Sequence, residues 1–144
     1  MSDYHILHRL SENVSDHGSH PTIKAAQDHA DQAGHAGAAV FHYVNRGEIG
    51  GGRGFVDSIR EPGQGWVSFR DPYGLHAWWW RLPEGVRAVL VADPDATLSE
   101  GILSACVHAG LPVTSDAWWV DSQPGPSGFR IPEDVRAFIR AVSA

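Results

Sequence analysis

Two residue types in this sequence are numerous enough, and spaced closely enough, to do chemistry. The first is tryptophan: six in 144 residues, five of them in the runs Trp78-Trp79-Trp80 and Trp118-Trp119. An indole joins a large apolar face to one polar edge, which suits ligand pockets and protein interfaces. Read as strands, these runs send neighbouring rings to opposite faces, because side chains alternate along a strand. Trp78 and Trp80 then face one way and Trp79 the other, and Trp118 and Trp119 divide likewise. Arg81 shares the face of Trp79, and Asp121 that of Trp119. Trp79, Arg81, Trp119 and Asp121 are the candidate binding residues, carried on an open sheet face. The competing reading covers both faces and makes every ring core, as large aromatics usually are.

The second type is histidine, with nine residues. Imidazole titrates near neutrality and serves as acid or base. His42 and His76 lie on or beside expected strands that could flank a pocket, while Asp16-His17-Gly18-Ser19-His20 sets a carboxylate and two imidazoles on one loop. His42, His76, His17 and His20 are therefore the candidate acid–base residues. As a metal site the loop is poor, since zinc signatures carry their histidines on a helix beside a glutamate or cysteines. No metal and no cofactor are expected. His29 borders the apolar side of its expected helix and reads as a packed side chain.

Two further features invite a chemical reading and lose to a plainer one. The run from Gly47 to Gly54, with Arg46 and Arg53, could cradle a phosphate through backbone amides. Nucleotide-binding loops run from strand to helix, whereas this one runs between strands, so a hairpin connection fits better. Cys106 is the sole cysteine, so no disulfide closes within the chain. It falls on the inner face of an expected helix, where a buried structural thiol is expected rather than a nucleophile.

The elements that must position these residues form an α+β pattern. The expected order is β–α–β–β–β–β–β–α–β–α: one domain over residues 1–144 with about three helices and a mixed, largely antiparallel sheet. Tyr4–Leu10 reads as a strand and Pro21–Ala33 as a helix, with Gly34 at its C′ position and Ile23, Ala26, Ala30 and Ala33 on one face. Ala38–Val44, Phe55–Ile59 and Trp66–Arg70 read as strands of a meander, and Asp71-Pro72-Tyr73-Gly74 as a turn. Arg87–Ala92 is a near-continuous apolar run, expected as a strand covered on both faces. Thr97-Leu98-Ser99-Glu100 is a capping box for a helix to about Ala109, and Val113–Val120 is the strand that completes a β-α-β unit. Pro132–Val142 closes the chain as an amphipathic helix, with Val135, Phe138, Ile139 and Val142 inward and Arg136 and Arg140 outward.

Charge narrows the partners. The formal net charge is −6, and each half of the chain carries −3, with no basic stripe. General nucleic-acid binding, which needs a clustered cationic footprint, is not expected. No apolar stretch reaches the length of a membrane span, and no secretory leader pattern opens the chain, so the expected setting is the cytoplasm, with no membrane partner. Two functional classes follow. The first is a small acidic binding or inhibitory module, resembling immunity proteins, antitoxins or phage inhibitors in size and charge, that meets a protein partner or ligand through the tryptophans. The alternative is a small cofactor-free enzyme (a hydrolase, isomerase or ribonuclease) that uses a histidine as acid and base. A pocket holding a histidine and a second polar group would favour the enzyme.

Overall fold

The computed structural model describes residues 3–9, 18–44, 53–71, 73–96, 98–110 and 131–143. Within them the chain forms strand β1 (Tyr4–Leu7), helix α1 (Ile23–Gln32), strands β2 (Ala38–Val44), β3 (Arg53–Arg60) and β4 (Val67–Ser68), and helices α2 (Leu75–Arg81), α3 (Glu84–Ala92), α4 (Glu100–His108) and α5 (Glu133–Val142). The four strands lie in sequence order, each antiparallel to its neighbour. The α+β class expected from the sequence is the observed one, with five helices among the described residues rather than three.

Both sheet faces are covered, and strand alternation shows how. In β2, Ala38 and Val40 point to one side, where with Ile6 they pack on Ala26 and Ala30 of α1. Alanine on that helix lets it approach the sheet closely. Ala39 and Phe41 point the other way, into the larger core shared with Leu7, Val56 and Ile59 and roofed by residues of α2, α4 and α5. Helix α5 supplies Val135, Phe138, Ile139 and Val142 to that core, as its 3.6-residue periodicity predicts. Its two arginines, expected to point outward, are instead partly buried in ion pairs. Arg140 reaches Glu61 at 2.5 Å and Glu133 at 2.8 Å, and Arg136 reaches Glu133 at 2.6 Å. Helix α1 is capped by Thr22, whose hydroxyl accepts from Ala25 N at 3.0 Å, and it ends at Gly34 in the left-handed region. Helix α4 starts two residues later than the capping box implies, with Ser99 as its cap.

Two expected strands are helices. The run Trp78-Trp79-Trp80 lies in α2, and Arg87–Ala92 lies in α3. The first correction has a local cause in Asp71. Its carboxylate is buried and accepts four backbone amides: Val56 and Leu75 on one oxygen, Tyr73 and Gly74 on the other, all at 2.9–3.0 Å. That cluster satisfies donors that a helix start leaves orphaned, and Gly74 takes the left-handed conformation needed to enter the helix. Leu75, Trp78, Trp79 and Leu82 then recur at helical spacing, and all four are buried. The second correction follows from it. Pro83 starts a new helix directly behind α2, and of the apolar run only Leu90 enters the core, while Val89 and Val91 stay exposed. The β-α-β unit expected around α4 therefore lacks its first strand, and Val113–Val120 lies outside the described residues.

Candidate functional site

The part of the expected binding face built on the first tryptophan run is not a sheet face, because Trp78, Trp79 and Trp80 are helical. Consecutive helical residues are separated by about 100°, so neighbouring rings can share one core. Trp78 and Trp79 do so: each is about 1% exposed, their ring centroids are 6.1 Å apart, and Trp78 Nε1 donates to Cys106 O at 3.0 Å. Trp79 is a core residue and presents no exposed face. Arg81 ends α2 and is exposed, with Nη1 donating to Ala109 O at 3.3 Å, so it closes the C-terminus of α4. Trp119 and Asp121 lie outside the described residues, as do Trp118 and the Gly47–Gly52 part of the glycine run.

The third member of the run, Trp80, is the only one of the three that is not buried. It is half-buried beside a groove of about 460 Å³ between α2 and α3, lined by Trp80, Glu84, Arg87, Ala88, Val91 and Ala92, with the buried Trp79 behind them. The guanidinium of Arg87 lies 4.5 Å from the Trp80 ring centroid, in cation–π contact. Trp80 Nε1 and Arg87 Nε are both buried, and neither has an acceptor among the described residues. Sequence alternation missed Arg87 because it set this stretch in a strand; at helical spacing, Trp80, Glu84, Arg87 and Val91 recur on one side.

The histidines separate onto different parts of the fold. On the face that carries the larger core, His76 of α2 is buried and stacks on Phe41, with centroids 4.6 Å apart and planes within 14°. His5 and Tyr43 complete this nest, with His5 5.6 Å from Tyr43 and Tyr43 5.9 Å from His76. Neither His5 Nδ1 nor His76 Nε2 has a hydrogen-bond partner among the described residues. Burial, helped by the neighbouring His5, holds the His76 pKa down to about 4, so it is neutral near pH 7. Burial also lifts the Tyr43 hydroxyl above its ordinary range.

On the α1 side, His42 meets a residue that sequence reasoning overlooked. Its Nδ1 lies 2.5 Å from Asp57 Oδ2, and the two side chains are 26% and 21% exposed. His20 pairs its backbone with Tyr4, and its ring sits 5.0 Å from that of His29, which is exposed rather than packed. His17 and Asp16 lie outside the described residues. Of the described candidates, His42 and His76 lie on opposite faces of the sheet, and the His20 ring lies beside that of His29. Among the described residues, no three His, Cys, Asp or Glu side chains are placed to hold a metal ion. Cys106 is buried, and burial pushes its thiol up to about 12, as a structural thiol requires. No helix among the described residues is long and apolar enough to cross a membrane.

Fold and groove together describe a small α+β protein with a helix-walled cleft beside its core. Compared with known families, curated proteins and solved structures, the chain matches none.

Proposed function

We propose that this chain is a small binding module, and that its ligand occupies the groove between α2 and α3. The reading rests on one observation: two adjacent N–H donors, Trp80 Nε1 and Arg87 Nε, are buried without acceptors among the described residues beside a cleft that is mostly apolar apart from Arg87 and Glu84. A buried donor left unmade costs about 1–3 kcal/mol, and most such groups in folded proteins are satisfied. A ligand that brings an acceptor recovers that cost. The cleft of about 460 Å³ has the volume of a small organic molecule, and its mix of apolar walls with a few polar groups is typical of ligand sites. The ligand class this favours is a flat apolar molecule with an anionic or carbonyl oxygen. Its ring lies along Val91 and Ala88, and its oxygen meets Arg87 and the Trp80 N–H.

The test is titration with 2-naphthoate, followed by tryptophan fluorescence and by melting temperature, with neutral naphthalene as control. Naphthoate should quench the fluorescence saturably and raise the melting temperature by mass action. Naphthalene should bind more weakly. Arg87→Met, which keeps much of the apolar stem, should weaken naphthoate by about tenfold or more, since a charge-assisted bond is worth about 1.5–3 kcal/mol. A saturable response identical in wild type and Arg87→Met, or none in either, would refute this site.

A further inference from the structure

We propose that His42 is an acid–base residue, positioned by Asp57, at a second site on the α1 side of the sheet. Asp57 owes its direction to an irregularity in the β2–β3 ladder. Val40 pairs with Ser58, and the next residue, Phe41, pairs with Val56, which leaves Asp57 as the extra residue of a bulge. Val56 and Ile59 both enter the larger core although they are three apart, which strict alternation forbids. The bulge resets the alternation and turns Asp57 toward His42, while Ser58 accepts a hydrogen bond from Gln27 of α1 at 3.1 Å. Bulges re-aim side chains in this way beside working sites. This one is held in place, since Phe69 N donates to Asp57 O at 2.9 Å.

The chemistry follows from the contact. An ionised carboxylate only accepts hydrogen bonds, so the neutral imidazole carries its proton on Nδ1, toward Asp57. The lone pair is then on Nε2, the ring nitrogen that the Asp57 contact leaves unused. Both side chains are reachable from solvent. The Tyr4 ring meets His42 edge-on at 5.9 Å and the Phe55 ring lies 6.3 Å away, which gives the imidazole aromatic flanks. An oriented base of this kind activates water against an acyl carbon. His42 Nε2 takes a proton from water as the water oxygen bonds to the carbonyl carbon of an ester. The bond from carbon to the leaving oxygen then breaks, and the imidazolium returns the proton to that oxygen. The products are a carboxylic acid and an alcohol, and His42 ends neutral. The substrate class is a small ester with an aromatic or apolar acyl or alcohol part.

The full chain is assayed for hydrolysis of p-nitrophenyl acetate, beside free imidazole at equal concentration, and the protonation of His42 is read by 15N NMR. The expected result is a wild-type rate above that of imidazole, a fall of about tenfold or more in His42→Gln, and a comparable fall in Asp57→Asn with the melting temperature retained. Neutral His42 should carry its proton on Nδ1 in the wild type and on Nε2 in Asp57→Asn, a change that a merely structural pair would not couple to rate. The NMR reading on wild type stands even if His42→Gln fails to fold. The proposal is overturned by a wild-type rate no faster than imidazole, by a full rate in folded His42→Gln, or by a wild-type proton on Nε2.

Discussion

Acid should destabilise this protein through His76, and the size of the effect can be worked from its surroundings. The ring is stacked on Phe41 over Gly54, where even an added Cβ would come within 3.2 Å of His76 and Phe41 atoms. Water cannot solvate a charge there, and the native pKa sits near 4 against 6.5 for the unfolded residue. Above pH 6.5 the imidazole is neutral in both states and contributes no pH dependence. Between 6.5 and about 4 the unfolded chain binds a proton that the native state refuses, so stability falls as pH falls. Below about 4 both states are protonated and the full loss persists. At about 1.4 kcal/mol per pH decade, that loss is about 3 kcal/mol, a large share of the 5–15 kcal/mol typical of a domain. His76→Phe keeps the stack and removes the titration. Urea unfolding of both proteins from pH 7.5 to 4 should show the variant equal or slightly more stable at pH 7.5, and about 3 kcal/mol better off in relative terms at pH 4. Parallel pH profiles for the two proteins would refute the reasoning, because they would mean that His76 is charged or solvated in the native state.

Other outcomes follow from the packing. Asp71→Ala strips acceptors from four backbone amides and should cost about 3 kcal/mol or more, read as a lower urea midpoint with an unchanged slope. Trp78→Ala and Trp79→Ala should each cost about 3–5 kcal/mol, since both rings are core; circular dichroism melts that leave Trp79→Ala at the wild-type temperature would return that ring to the surface. Phe138→Ala should cost a similar amount by loosening α5, and an unchanged melting temperature would make that helix peripheral.

The sequence by itself determined the parts of this protein in which one local signal is unopposed. Ala38–Val44 alternates and is a strand; Pro132–Val142 repeats its apolar residues at helical spacing, and Val135, Phe138, Ile139 and Val142 are all buried. Gly34 ends α1 through a backbone preference that needs no distant partner, whereas the helix starts after a Thr22 cap and not at Pro21, where the sequence alone places its start. The tryptophan run was ambiguous in kind, because aromatic and β-branched residues favour strands by propensity while Leu75, Trp78, Trp79 and Leu82 fit a helix by spacing. Asp71 decided it, and the amide of Val56, which Asp71 holds across the turn, belongs to a strand 15 residues earlier. The sites were legible only as residue types. His42 could be named from its sequence, but its partner Asp57 could not, since a bulge in a strand pairing sets that side chain's direction. Trp80 and Arg87 belong together only once two helices fold across Pro83. Tertiary structure made these choices because each depends on contacts between distant segments, and local preferences differ there by less than such contacts are worth.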